Sequence, residues 1–248
     1  MDTPVSGACA VAREDGPGYS IPRAAAAMAQ VLSGVAPDWA RELRDRPGIL
    51  AEDLPPDTAE ALVHALAGHR IPAFVVAQDE MAVPPPPFLA SEAQLTEEGF
   101  LCRSGQQKAL APWDEVILFE CARVRAASRG PLDLLRRNRA AAPRGTAGDQ
   151  EATSHDLLDI VCYQPWLHVR VDSETFQFAS LGLPPQPARR QSFANLVRVI
   201  RGRCPEATAG PGALLILGRG EGALTLPTIE ACDNNLLWRL QLLWRAEE

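Results

Sequence analysis

Lysine is almost absent from this sequence. Lys108 is the single lysine among 24 lysine and arginine residues in a chain of 248, so chemistry that depends on a lysine amine has one candidate. The chain also lacks a basic start followed by an apolar run, the pattern of a secretory signal peptide. No stretch approaches the roughly 18 uninterrupted apolar residues of a membrane span. These absences predict a soluble, cytoplasmic protein, and the abundance of arginine, alanine, glycine and proline is typical of a GC-rich bacterial genome.

The six cysteines are widely spaced, and no two of them lie within four residues of each other. This spacing excludes the C-x-x-C pairs of zinc knuckles and argues against a disulfide-stapled secreted domain. We therefore expect reduced cysteines, buried as small apolar residues. The sequence contains no H-E-x-x-H, G-x-S-x-G or P-loop motif, so we assign it no catalytic residue, no metal site and no cofactor.

Composition excludes further classes of protein. Hydrophobic residues make up 46% and charged residues 22%, values that are typical of a globular fold and unlike those of a disordered or collagen-like chain. The formal net charge of -7 disfavours attraction of the whole chain to nucleic acid or anionic lipid. Composition leaves the oligomeric state open.

Proline divides the chain into two predicted domains. Residues 1–17 are small, polar and punctuated by glycine and proline, as in a flexible tail. Residues 18–83 predict a small module of order α-α-β-α-β, with Gly68 at the C-terminal cap of its last helix. The proline run of residues 84–87 predicts a stiff linker, although such a run can also be a proline-recognition motif. Residues 88–248 form the larger predicted domain.

The segment GILAEDLPPDTAEALVHALAGHRIPAFVV, within residues 46–77, contains a strand, a proline-capped helix with an A-x-x-L face, a glycine and a returning strand. In this pattern it resembles the C-terminal domain of the bacterial ribosomal stalk protein and its Clp-protease-adaptor relatives. The resemblance implies a small α/β module that binds other proteins. It does not carry over their partners, because residues 1–83 hold 6 basic and 12 acidic groups and lack the basic, glycine-rich helical surface of those domains.

Short β-rich segments predict an antiparallel domain in residues 88–248. Thr-Glu-Glu-Gly at 96–99 is a hairpin turn, and apolar spacing predicts a helix at 191–203. Further strands are predicted at 113–124, 157–163, 166–171 and 175–178, a late hairpin at 213–217 and 223–226, and a closing amphipathic helix at 229–245. Strands closed by a helix that carries Trp238 and Trp244 are similar in outline to pleckstrin-homology-like barrels. The expected fold class is α+β, a small α-α-β-α-β module plus this β-rich domain.

Three patterns suggest chemistry, and each has a structural alternative. Residues 218–223 match a dinucleotide fingerprint by letter, but strand-like residues follow where a helix is required, which favours a hairpin turn. Cys162 and His168 could approach each other as a thiol–imidazole pair, or lie in the core and on a strand face respectively. Asp156 and Asp159 are more typical of a solvated edge than of an acid–base dyad.

Basic charge is concentrated in two segments. Residues 123–144 hold seven arginines and one aspartate, mostly within a long basic loop at 125–154, and residues 187–203 hold five arginines and no acidic residue. This segregation predicts a surface for an acidic partner, although a solvated loop and the polar face of one helix are the simpler explanation. The candidate partner surface consists of Arg123, Arg125, Arg129, Arg136, Arg137, Arg139 and Arg144.

These observations favour a non-catalytic protein-interaction or adaptor module whose partner is a protein. The alternative is an enzyme or small-ligand binder with its site in the β-rich half, using Cys162, His168 and a nearby aspartate. A third hypothesis is nucleic-acid binding through the arginine-rich segments, which is weakened because residues 123–144 contain no aromatic residue for stacking on bases.

Overall fold

The computed structural model describes residues 7–16, 19–125, 154–219 and 224–247. The described helices are α1 (Ile21–Val31), α2 (Ala36–Glu42), α3 (Pro56–Gly68), α4 (Arg189–Arg203), α5 (Pro211–Ile216) and α6 (Ile229–Glu247). The described strands are β1 (Cys9–Arg13), β2 (Ile49–Leu54), β3 (Ala73–Ala77), β4 (Phe88–Ala90), β5 (Glu92–Leu95), β6 (Gly99–Ser104), β7 (Gln107–Pro112), β8 (Val116–Arg125), β9 (Ser154–Cys162), β10 (Leu167–Asp172), β11 (Thr208–Ala209) and β12 (Thr225–Leu226). Helices accompany mostly antiparallel strands, so the predicted α+β class is confirmed.

The chain divides into two units. The first consists of Met1–Pro84 and Ile229–Glu248, and the second consists of Pro85–Thr228. The division falls inside the four-proline run, where stiff extended backbone interrupts both helices and strands. In the described part of the chain, no helix combines the length and apolar character that crossing a membrane requires.

A segment predicted to lie in the flexible tail of residues 1–17 is instead the central strand of the first unit. The strand order is β2-β1-β3, and both pairings are antiparallel. Cys9 and Val11 face the core that α1 and α3 build, whereas Ala10 and Ala12 face the other side of the sheet. All four are fully buried. A short strand that is covered on both faces lacks apolar–polar alternation, which explains why its pattern did not predict a strand.

The last helix belongs to the first unit, although the sequence predicts that it closes the β-rich domain. Trp238 of α6 is 1% exposed and packs with Ile49 of β2. Its indole N–H donates to the carbonyl of Arg13 at 2.7 Å, and the guanidinium of Arg13 lies 3.8 Å from the ring centroid. The amphipathic pattern of α6 correctly predicts that one face is covered, but such a pattern cannot identify which sheet receives it.

Helix α3 is followed, two residues after its end, by a non-glycine residue in the left-handed conformation. Arg70 has a φ of 61°, and its N–H donates to the carbonyl of Ala67 at 2.9 Å. Gly68, the predicted cap, is instead the last residue of the helix. A side chain at positive φ costs roughly 1 kcal/mol or more, so position 70 is the one that favours glycine.

Replacing Arg70 by Gly should raise the free energy of unfolding by about 1 kcal/mol, because it removes this backbone strain. Urea unfolding followed by circular dichroism measures the effect. Arg70→Ala removes the same side chain but keeps a Cβ, so it should give no gain. An equal gain in both variants would show that the side chain, and not the backbone, is the source of the strain.

The described residues of the second unit form two sheets. The strand order of the larger is β11-β8-β9-β10-β4, with β12 also pairing with β8, and that of the smaller is β5-β6-β7. The strands predicted at 113–124, 157–163 and 166–171 correspond to β8, β9 and β10, and the helix at 191–203 corresponds to α4. The predicted hairpin of β5 and β6 is confirmed, with hydrogen bonds between Thr96 Oγ1 and Gly99 across its turn.

Two predicted strands of the second unit are wrong. Residues 213–217 lie in α5 and the turn after it, and β12 is a two-residue strand that runs parallel to β8. An apolar run of five residues fits a strand or a buried helix equally well, and Pro211 at the first helical position decides for the helix. Residues 175–178, all described, contain no strand, and Phe178–Leu181 forms a 3₁₀ turn.

Candidate functional site

A pocket of the second unit combines charged and apolar side chains. Its volume is about 200 Å³. Strands β8 and β9 contribute charged residues, α4 contributes a charged and two apolar residues, and α5 contributes apolar residues. The lining consists of Arg123, Asp156, Arg190, Phe193, Ala194, Leu215 and Ile216.

Arg123 and Asp156 form the polar end of the pocket. They face each other across the ladder of β8 and β9, and Arg123 Nε donates to Asp156 Oδ1 at 2.8 Å. The Asp156 backbone is held by Ser173: the Asp156 N–H donates to Ser173 Oγ at 2.8 Å, and the Ser173 N–H donates to the Asp156 carbonyl at 2.9 Å. Phe119 and Cys121 lie on the same face of β8 and belong to the apolar core. The ion pair therefore marks the point where the core ends and the pocket begins.

Helix α4 is fixed by its apolar stripe and by its first residue. Phe193, Leu196, Val197 and Ile200 are buried against the larger sheet. Arg189 donates to the carbonyls of Ser173 at 2.8 Å and Phe176 at 2.7 Å, which ties the start of the helix to the segment after β10. Arg190, the next residue, lines the pocket.

Helix α5 forms the apolar wall because it approaches β8 very closely. The N–H of Gly212 donates to Glu120 Oε1 at 2.9 Å. A Cβ on Gly212 would lie 1.6 Å from the Cys121 carbonyl oxygen, so this approach requires glycine. The same docking places Leu215 and Ile216 at the pocket.

The electrostatics of the pocket favour an anion. Two guanidinium groups and one carboxylate line it, so its formal charge is +1. The Asp156 carboxylate engages Arg123 through Nε, and within the described ranges the two Nη groups of Arg123 have no partner. The arrangement can hold an anionic group at one end and an apolar group against Phe193 and Ile216.

Cys162 and His168 do not form the thiol–imidazole pair of the enzyme hypothesis. They lie on opposite faces of the β9–β10 ladder, Cys162 in the apolar core and His168 on the other side. His168 Nε2 lies 2.7 Å from Asp159 Oδ1, and Arg170 Nε donates to the same oxygen at 2.6 Å. Burial raises the pKa of the Cys162 thiol to about 12, so this cysteine is protonated and a poor nucleophile at neutral pH.

Asp156 and Asp159 are buried and paired, contrary to the predicted solvated edge. Three residues apart on one strand, they face opposite sides of the sheet, which excludes an acid–base dyad. Burial raises the pKa of Asp159, but the hydrogen bond with His168 and the charge of Arg170 outweigh it, so the pKa is held below its ordinary value. Asp159, His168 and Arg170 form a buried ionic cluster.

The predicted partner surface is placed only in part. Arg123 lines the pocket, and Arg125 is exposed at the end of β8. The remaining five candidates lie outside the described residues: Arg129, Arg136, Arg137, Arg139 and Arg144. Residues 220–223 of the dinucleotide-like pattern also lie outside, and the segment before it is the helix α5, where the fingerprint requires a strand.

The sequence predicted the basic character of α4 but not the pocket beside it. The apolar run predicts a strand at Leu215 and Ile216, and a strand there does not indicate a helix that packs beside α4. Pro211 and Gly212 were the available signal, since proline favours the first turn of a helix.

All six cysteines are free and buried. Burial raises the pKa of Cys204 to about 11, and that of Cys121 well above its ordinary value. Within the ranges that the structure describes, no group of three or more His, Cys, Asp or Glu side chains is arranged to hold a metal ion.

No family model, curated protein or solved structure matches this chain.

Proposed function

We propose that this chain is a non-catalytic protein-interaction module, and that the second unit binds an acidic segment of a partner protein on the outer side of α4. One observation carries the proposal: α4 holds five arginines and no acidic residue in a chain whose net charge is -7. Arg190, Arg198 and Arg203 are exposed, and none of the three has a hydrogen-bond or ion-pair partner among the described residues. An unpaired basic surface attracts acidic partners even when the net charge of the whole chain is negative.

The other two arginines of α4 donate hydrogen bonds to backbone carbonyls within the fold. Arg189 holds the carbonyls of Ser173 and Phe176, and Arg201 donates to the carbonyl of Ala207 at 2.9 Å. These two therefore fix the helix in place, which leaves the exposed three for a partner. Because guanidinium groups bind carboxylates in a planar, two-bonded geometry, acidic side chains are suitable partners.

A protein partner is favoured over nucleic acid by the rest of the helix. The single aromatic residue of α4, Phe193, is buried in the core, so its outer side offers no ring on which a base could stack. An enzymatic role draws no support from the buried ionic cluster or from the thiols, since these groups are paired or protonated within the fold.

Charge reversal at Arg198 and Arg203 tests the proposal. The double variant Arg198→Glu/Arg203→Glu should weaken binding of a fluorescein-labelled octaglutamate peptide at least tenfold, since two attractive charges become repulsive. Fluorescence anisotropy with the full chain measures the affinity, which should fall as salt is raised.

The matched control is Arg41→Glu/Arg44→Glu, which makes the same change of charge at exposed residues of the first unit. This control should bind octaglutamate like the unaltered chain. Equal weakening in both double variants would contradict the proposal, because only the net charge would then matter. Tighter binding of an octauridylate RNA than of octaglutamate would overturn it in favour of nucleic acid.

A further inference from the structure

We infer that the pocket between β8, α4 and α5 binds a carboxylate carried on a short apolar group. The inference rests on the proposed function and deepens it, because such a group occurs at the C-terminus of a partner protein that ends in a leucine-like residue. The same chemistry also occurs in a free aliphatic acid, and the experiment below separates the two sources.

Contacts within the fold already orient the Arg123 guanidinium for binding a carboxylate. Its Nε donates to Asp156 Oδ1 at 2.8 Å, and the backbone of Asp156 is held by Ser173. The guanidinium plane is therefore fixed, while the end that carries both Nη groups has no partner among the described residues. A guanidinium group whose position is already fixed, and whose two Nη groups are available, binds a carboxylate through two parallel hydrogen bonds. Little side-chain entropy is then lost on binding.

Arg190 determines the sign and the size of the charge that the pocket accepts. With Arg123 it opposes the single carboxylate of Asp156, which leaves a formal charge of +1. One carboxylate neutralises this charge completely. A phosphate dianion would leave negative charge against the apolar wall, and an ammonium group would meet two guanidinium groups, so both are disfavoured.

The apolar wall determines what accompanies the carboxylate. Phe193, Ala194, Leu215 and Ile216 supply four of the seven lining residues. The volume of about 200 Å³ corresponds to six or seven groups of water size, at roughly 30 Å³ each. A carboxylate with a chain of about four to five carbons fills this space, and each buried methylene should tighten binding about fourfold.

The first arm of the experiment measures free acids on the full chain by isothermal titration calorimetry. Hexanoate should bind much more tightly than acetate, and hexylammonium, of the same length and opposite charge, should not bind. Arg190→Gln should weaken hexanoate binding about tenfold. Arg41→Gln is the control, an exposed arginine of the first unit, and it should bind hexanoate normally. Equal affinities for hexanoate and acetate, or equal losses in both variants, would overturn the inference.

The second arm identifies the source of the carboxylate. A pentapeptide that ends in a leucine carboxylate should bind at least as tightly as hexanoate, and its C-terminal amide should bind at least tenfold more weakly. Equal binding of acid and amide would overturn the inference. If hexanoate bound but the peptide did not, the pocket would bind a free aliphatic acid, and the C-terminus of a partner protein would be excluded.

The outcomes also separate this inference from the proposed function. Octaglutamate binding that depends on Arg198 and Arg203, together with a pocket that binds no hexanoate, would refute the inference alone. Hexanoate binding without any octaglutamate binding would refute the proposed function alone.

Discussion

Replacing Asp159 by Asn should lower the free energy of unfolding by about 3 to 5 kcal/mol, the cost of breaking a buried ion pair by removing one partner. Asp159 is 3% exposed, and its carboxylate bonds to His168 at 2.7 Å and to Arg170 at 2.6 Å. Asparagine keeps the volume but removes the negative charge that faces the Arg170 guanidinium. A positive charge left in the interior without that carboxylate is more costly than the lost hydrogen bonds alone. Urea unfolding of the full chain at neutral pH measures the loss.

Asp156→Asn is the matched control on the same strand. The Arg123–Asp156 pair is partly open to solvent, with 22% and 12% of the two side chains exposed. Water screens such a pair, and we expect a loss of about 1 kcal/mol or less. Losses of similar size in the two variants would contradict the view that the Asp159 cluster is the stronger interaction.

The pH dependence of stability provides a second measurement on Asp159. Its pKa in the folded chain is below the ordinary value, which is near 4 in an unfolded chain. The stabilisation is therefore fully present above pH 4 and is lost as the pH falls through the lower, folded pKa. Unfolding curves between about pH 7 and pH 3 should show a weaker acid decline for Asp159→Asn than for the unaltered chain. Equal declines of the free energy of unfolding in the two proteins would show that other carboxylates cause the loss of stability in acid.

Local patterns predicted most of the second unit because its strands and α4 are long enough to show a period. Strands β8 to β10 combine apolar and polar positions over six to ten residues, and α4 repeats its apolar residues over 15. The wrong predictions concern short segments. In one case both faces of a strand are covered, and in the other the apolar run fits either a strand or a helix. β1 has five residues and α5 has six, and both depend on partners distant in sequence.

The candidate site was predicted to the same extent as the elements that form it. Segregation of arginine pointed to residues 187–203 because net charge is visible without a structure. The pocket was missed because it needs Arg123 next to Asp156 across a ladder, with Leu215 turned toward α4. Ladder register and helix docking are properties of tertiary structure. The resemblances to stalk-like and pleckstrin-homology-like domains stay predictions.

The docking of α6 gives the second large expected effect. Gly48→Ala should lower the free energy of unfolding by about 3 kcal/mol, because a Cβ at this position would lie 1.9 Å from Cγ of Trp238. The indole must then move, and it loses burial against Ile49 and its hydrogen bond to the Arg13 carbonyl. Displacing a large buried aromatic side chain costs energy on this scale. Urea unfolding measures the total loss, and amide hydrogen exchange should show reduced protection in β1 and β2.

Gly68→Ala is the control within the same unit. Gly68 lies in the last turn of α3, and a Cβ there would meet no atom within 4 Å. Alanine in a helix restricts the unfolded chain and is favoured over glycine by about 0.5 to 1 kcal/mol, so this variant should be unchanged or more stable. If Gly48→Ala were as stable as Gly68→Ala, Trp238 could not lie against Gly48, and α6 would have to be released from the first unit.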